Sequence, residues 1–244
     1  MSKLKLKLIH LYPLFLNIYG DIGNIKAFEQ RCKWRDIDLE IKQINIGDKI
    51  EPNSDIYFIG GGQDRQQIEV SKELQLHKEI LNNEFNNDSV FLGICGGYQL
   101  LGKYYQPHNG ERLLGLEILD AYTVAGPTRF IGNVTIQSEM DIEPSTLVGF
   151  ENHSGLTYLE DGTIPIGQTI IGKGNNGIDK TEGGHKRNAF GTYLHGSFLP
   201  KNPHFCDYLI KLALKKKYND DIELIKLDDT IELKAHASVL NKSY

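Results

Sequence analysis

The sequence predicts an α/β fold: a doubly wound, mostly parallel sheet with antiparallel β additions in its C-terminal half. Three observations carry that prediction. Up to Leu101, short apolar runs of β character alternate with segments of helical periodicity, a pattern that implies right-handed crossovers and a sheet covered on both faces. Two of those runs stop on glycines, at Gly60-Gly61-Gly62 and at Gly96-Gly97. From Leu116 to about Phe190 the pattern changes to β-like runs separated by Gly, Pro and Asn, which suits antiparallel strands.

The elements follow in order. Leu4 to Leu11 alternates lysine with leucine or isoleucine, a strand of period two. Asp21 offers an N-cap oxygen for an amphipathic helix through Ile22, Ile25, Phe28 and Cys32, ending near Arg35. Leu39–Ile44 and Asp55–Ile59 read as the second and third strands. A helix pattern from Gln63 to Leu81 passes through Ile68, Leu74, Leu76 and Ile80. Val90–Ile94 is the fourth strand, with a helix starting near Gly97. The runs LEILDAYTV, FIGNVTIQ, STLVGFENH and GLTYL supply the antiparallel strands. Residues 172 to 188, GKGNNGIDKTEGGHKRN, have almost no apolar content and read as an exposed, mobile loop. Ala189–Leu194 returns to strand character and ends at His195, and Phe205, Leu209, Leu212 and Ala213 mark a closing helix.

A chain of 244 residues, 40% hydrophobic and 24% charged, suits one domain with elaborations or two small ones. The net charge of -5, with basic residues scattered apart from Lys215-Lys216-Lys217, argues against a nucleic-acid partner. Cys32, Cys95 and Cys206 lie far apart and form no Cys-x-x-Cys pair, which fits a reducing cytosol. The basic and apolar N-terminus reads as a strand rather than a leader. No apolar run approaches the roughly eighteen residues of a membrane span, so a lipid substrate would be met at a membrane surface or through a partner.

Gly93-Ile94-Cys95-Gly96-Gly97 has the strand-to-helix pattern of a nucleophile elbow with cysteine at its corner. A thiol at a helix N-terminus is biased toward thiolate by the dipole and the unpaired N–H groups. The Gly96 N–H is placed to hold an oxyanion, and Gly61 or Gly62, at the tip of the third strand, is the expected second donor. The competing reading makes Cys95 a small buried residue before a turn. Cys32 and Cys206 lack an elbow and read as core. A thiol nucleophile needs a base. His10, His77, His108, His185 and His204 sit where a solvated histidine is the default, whereas His195 ends a predicted strand as Cys95 does. No metal site is evident.

Cys95-Gly96-Gly97-Tyr98-Gln99-Leu100-Leu101 resembles the Cys-x-Gly-x-Gln-Leu motif of class I (triad) glutamine amidotransferases. Gly60-Gly61-Gly62 resembles their oxyanion strand. The segments Gly149 to Gly155 (GFENHSG) and Tyr193-Leu194-His195-Gly196 are similar to those of the cobyric acid synthase branch. With NIYGDIGNI, FIGGGQDR and GTYLHGSFLPKNP, the chain most resembles the glutaminase subunits of lipid II isoglutaminyl synthases.

That resemblance implies a flavodoxin-like glutaminase domain over residues 1–244. It makes Cys95 the nucleophile, His195 the base and acid, and Arg129 the grip on the glutamine α-carboxylate, which a guanidinium fork fits. Gln99 lines the pocket or binds local backbone, Arg129 is otherwise a solvated strand residue, and His153 reads as structural. It implies a cytoplasmic heterodimer with a Mur-ligase-like (MurT-type) amide ligase that binds ATP and Mg²⁺ and presents lipid II at the inner membrane surface. No cofactor is expected in this subunit, which has no Gly-x-x-x-x-Gly-Lys-Ser/Thr loop. One departure stands out: most of the class carry a glutamate two residues after the histidine, and here that residue is Ser197. The site is therefore expected to work as a dyad or to receive its acid from elsewhere, with the partner the expected source. Cobyrinate amidation, a cysteine hydrolase of the same architecture, and an inactive binding module are the alternatives.

Overall fold

The computed structural model describes residues 3–18 and 21–240. Tyr19 and Gly20 of the NIYGDIGNI stretch lie outside them. The first part alternates as expected: β1 (Lys5–Leu11), α1 (Ile22–Lys33), β2 (Asp38–Ile44), β3 (Ile56–Ile59), α2 (Asp64–Leu76), α3 (Lys78–Asn86), β4 (Val90–Ile94) and α4 (Gly96–Leu101). A second set follows, comprising β5 (Tyr104–Gln106), β6 (Leu113–Leu114), β7 (Ala121–Ser138), β8 (Thr146–Leu159), β9 (Gly167–Ile171) and β10 (Thr181–Glu182). The chain then returns through β11 (Gly184–Lys186) and β12 (Ala189–Thr192) to α5 (Phe198–Lys201), α6 (Pro203–Tyr218) and α7 (Thr230–Leu240).

Two sheets result. The first has the order β11-β12-β4-β3-β1-β2 and is parallel except for β11. Its central strands β3, β4 and β12 are buried along their whole length, which is why they read as continuous apolar runs rather than alternating ones. The second sheet, β10-β9-β7-β5-β6 with β8 on β7, is mostly antiparallel. The short runs seen in the sequence merge there into two long strands, β7 and β8, paired from Ala121–Leu159 to Gln137–Thr146 across an irregularity between Ala125 and Phe130.

Three expectations are corrected. The helix expected over Gln63 to Leu81 breaks at His77 (φ −108°, ψ 4°), and α3 restarts in a new direction that buries Leu81 and Phe85; the apolar face of α2 is Val70 and Leu74, with Ile68 partly exposed. Residues 172 to 188 are not an exposed loop. Asn175, Asn176 and Glu182 are buried in it, and its polar side chains are satisfied by hydrogen bonds that a hydrophobicity pattern does not register. His10 is not solvated either: it lies fully buried edge-on against Phe58, and burial pushes its pKa down to about 4. The helices α5 and α7 were not anticipated. The C-terminal segment is tied down by Arg31, whose buried guanidinium forks onto Asp207 (2.5 and 2.7 Å) and Asp229 (2.6 and 2.9 Å).

Candidate active site

Cys95 closes the β4–α4 junction at φ 51°, ψ −104°, a conformation a non-glycine residue adopts only when its surroundings enforce it. The enforcement is local. Its N–H donates to Thr192 O (2.8 Å) and its carbonyl accepts from Gln99 N (3.0 Å). The flanking glycines let two backbones meet: a Cβ on Gly97 would stand 2.2 Å from Ile59 O, and one on Gly93 2.7 Å from the Gly97 carbonyl carbon. The thiol is 6% exposed and lines a cavity. Cys32 and Cys206, by contrast, are fully buried, and burial pushes the Cys32 pKa up to about 12 and raises that of Cys206.

His195 follows β12 and is strapped to β8 by a two-way bridge with Phe150 (2.9 and 3.2 Å). The residues before it are fixed by Glu182, fully buried, whose carboxylate accepts from Tyr193 N (2.6 Å) and Thr192 Oγ1 (2.9 Å). Polar residues of the 172–188 segment thus anchor the end of the strand that carries the histidine. The imidazole is 1% exposed and lies near enough to Cys95 for the sulfur to act on its titration. Burial alone would lower its pKa, but the Cys95 sulfur and the Asp21 carboxylate outweigh burial and raise it to about 10. Replacing Cys95 with serine removes the first of those charges, so an NMR titration of the His195 Cε1–H resonance is expected to give a pKa well below that of the wild type. An unchanged value would mean the sulfur does not face the ring.

Asp21 departs from its expected role. It precedes α1 but makes no side-chain cap; Asn17 Oδ1 takes the Ile22 N–H instead (2.9 Å). The Asp21 carboxylate is fully buried, accepts from Gly61 N (2.5 Å) and places Oδ1 3.9 Å from His195 Nδ1. This also corrects the oxyanion expectation. The Gly61 N–H is committed to Asp21, which leaves Gly62 and Gly96 of the expected donors; the two lie close together, a Cβ on Gly96 falling 3.1 Å from Gly62 N.

The cavity, of about 620 Å³, joins Cys95 and Gly62 to Gln99, Arg129, Asn152 and His153. Arg129 is exposed at its rim, its Nη1 donating to Asn152 Oδ1 (3.0 Å). Gln99 is 5% exposed and donates through Nε2 to Tyr193 Oη (3.2 Å); its Oε1 has no protein partner among the described residues. Tyr193 Oη in turn meets Thr157 Oγ1 (2.6 Å) and, through it, Thr123 (2.7 Å).

The CobB/CobQ-like glutamine amidotransferase domain matches residues 7–203 of the sequence. The chain belongs to that family. It is 42% identical over 98% of its length to the GatD subunit of the glutamine-hydrolysing lipid II isoglutaminyl synthase of Staphylococcus aureus, covering 96% of that protein. With the same-named subunit of Streptococcus pneumoniae the identity is 40% over 93% of this chain and 87% of the relative. A probable cobyric acid synthase of Methanocaldococcus jannaschii is 30% identical over 90% of this chain but only 46% of its own length. In fold, the amidotransferase resembles a glutamine amidotransferase from Thermotoga maritima (TM-score 0.56, 16% identity, 96% and 93% of the two chains). It also resembles the glutaminase domain of Trypanosoma brucei CTPS (TM-score 0.54, 13% identity, 90% and 96%). Among the described residues no helix is long and apolar enough to cross a membrane.

Of the residues the sequence points to, Cys95, Gly62, Gln99 and Arg129 line this cavity, while two residues that matter to the geometry, Asp21 and Asn152, carry no such signal. Asp21 was taken for a cap because its partners, Gly61 and His195, are 40 and 174 positions away. Asn152, inside the GFENHSG segment, has no local signal of its own, although it is the residue that holds Arg129.

Proposed function

We propose that this chain is the glutaminase subunit of an ATP-dependent amide ligase. It hydrolyses L-glutamine through a cysteinyl thioester on Cys95 and passes ammonia to a Mur-ligase-like partner, which amidates the D-glutamate α-carboxylate of lipid II to D-isoglutamine. The observation that supports this most is the single cavity joining a strained corner cysteine, Arg129 and Gln99, with His195 against the thiol. The near full-length likeness to two lipid II isoglutaminyl synthase subunits favours lipid II over cobyrinate as acceptor.

The chemistry follows from the placements. The Cys95 sulfur attacks the side-chain amide carbon, and the oxyanion forms beside the Gly62 and Gly96 N–H groups. His195, which holds its proton well above neutrality, delivers it to the departing nitrogen, and ammonia leaves. The neutral imidazole then takes a proton from water, which attacks the thioester and releases glutamate and the thiol. Asp21, facing Nδ1, steadies the imidazolium. ATP and Mg²⁺ belong to the partner, which also delivers the lipid-linked acceptor at the inner face of the membrane. The acid expected from the partner is thus supplied by this chain's own Asp21; what the partner adds is a coupling of hydrolysis to docking, so that the free subunit does not waste glutamine.

Arg129→Ala is expected to raise KM for glutamine about 10- to 100-fold with kcat within about 3-fold, because the carboxylate contact is the same in ground and transition states. The deciding experiment measures glutaminase rates with and without the partner, and ATP-dependent amidation of lipid-linked and cobyrinate acceptors. Amidation of the lipid-linked acceptor alone supports the reading, whereas amidation of cobyrinate alone replaces it. Equal glutaminase rates with and without partner would refute the coupling of hydrolysis to docking.

A further inference from the structure

His153 sits on β8 opposite Phe130 of β7, the residue that follows Arg129. It is 3% exposed and lines the same cavity as Cys95. Its ring lies flat on the Tyr193 ring, centroids 3.6 Å apart and planes 4° apart, with Phe130 edge-on at 5.5 Å. That sandwich fixes the ring plane. Nδ1 lies 2.8 Å from Gly155 O; a carbonyl only accepts, so Nδ1 carries the hydrogen and Nε2 presents a lone pair. Nε2 has no partner among the described residues. Burial, the largest influence, pushes the His153 pKa down to about 3; the Gly155 contact opposes it only in part, and the His195 and Arg129 charges add a smaller push downward. The contact with Gly155 O thus makes Nε2 the acceptor of the ring, and burial favours its neutral form.

A buried acceptor without a partner costs stability, and here it borders a cavity whose rim carries the guanidinium expected to bind the α-carboxylate. The donor nearest that carboxylate in a free amino acid is its α-ammonium. We propose that His153 Nε2 accepts a hydrogen bond from the α-ammonium of bound glutamine, so that the pair Arg129 and His153 reads the zwitterionic head group of the substrate. This rests on the glutaminase reading and extends it from the reacting amide to the opposite end of the ligand. It assigns His153 to substrate selection rather than to chemistry: the site would admit free glutamine and reject an otherwise identical amide that lacks the amino group.

The test compares L-glutamine with 5-amino-5-oxopentanoate, its analogue without the α-amino group, in the full chain assembled with its partner subunit. The wild type is expected to favour glutamine, and His153→Phe to shrink that preference about 10- to 100-fold, the range for a hydrogen bond to a charged group. The change should come through KM for glutamine, with the analogue hydrolysed within about 3-fold of its wild-type rate. His153→Gln, which keeps an acceptor at similar reach, should restore most of the preference. Equal losses on both substrates would assign His153 a structural role and overturn the proposal. Should the phenylalanine variant not fold, ¹⁵N-histidine spectra of Cys95→Ser protein decide: glutamine must shift the His153 Nε2 resonance and the analogue must not, and equal responses overturn the proposal. A wild-type complex that hydrolyses neither compound refutes the glutaminase reading itself, a result distinct from a preference that His153→Phe leaves intact.

Discussion

On the proposed thioester mechanism, Cys95→Ala is expected to lower glutamine hydrolysis by at least about 10⁴-fold, the usual cost of deleting the nucleophile of a unit that works by covalent catalysis, while leaving the fold and glutamine binding in place. The asymmetry follows from the geometry. The thiol is the one group at the elbow that can form the thioester, yet the elbow is held by backbone contacts, Cys95 N to Thr192 O and Gln99 N to Cys95 O, and by glycines, none of which the substitution touches. The side chain is small, so little packing is lost. Steady-state kinetics and isothermal titration with glutamine check both halves of the expectation. Residual hydrolysis within about 10-fold of wild type would mean that water attacks glutamine without a covalent intermediate.

Gly97→Ala should come second in effect, through structure rather than chemistry. The added Cβ would lie 2.2 Å from Ile59 O, 2.8 Å from Ile59 C and 3.0 Å from Gly60 O. All three are backbone atoms, so no rotamer change relieves them, and α4 has to move away from the end of β3. That movement separates Cys95 from Gly62, the proposed oxyanion donor. A loss of about 3 kcal/mol in stability is expected, at the upper end for overpacking, with kcat reduced about 100-fold, as for a misplacement of about 1 Å. Urea unfolding and kcat measure the two. Gly110→Ala is the control: its φ of +103° strains an alanine, but nothing lies within 4 Å of the new Cβ, so stability falls slightly and kcat stays. Equal kcat in Gly97→Ala and wild type would dissociate the elbow from the activity.

What the sequence revealed and what it hid divide along the range of the interactions. The parallel strands and the elbow are local patterns: β3 is an apolar run followed by Gly60, β4 a buried run followed by Cys95 and two glycines, and the corner at Cys95 is written in five consecutive residues. Asp21 is different. As the residue before a helix it has every local feature of a cap, and only the crossing of β1's exit loop over the end of β3 turns its carboxylate toward Gly61 and His195. The 172–188 segment was misread because it is buried by polar contacts, with Glu151 accepting from Lys173 N and Gly174 N (both 3.0 Å) and Glu182 from Tyr193 N (2.6 Å). The break at His77 also escaped, since the apolar spacing continues across it while the backbone does not.

The central claim is that one thiol, and one alone, is set to attack the side-chain amide of glutamine. Incubating the chain with a γ-electrophilic analogue of glutamine, in the presence of its partner subunit, and sequencing the adduct by mass spectrometry tests it most directly. The account predicts one adduct, on the peptide carrying Cys95, slowed by excess L-glutamine, with Cys32 and Cys206 unmodified because both are fully buried with raised pKa values. No adduct at Cys95, or an adduct there that glutamine does not slow, would contradict it.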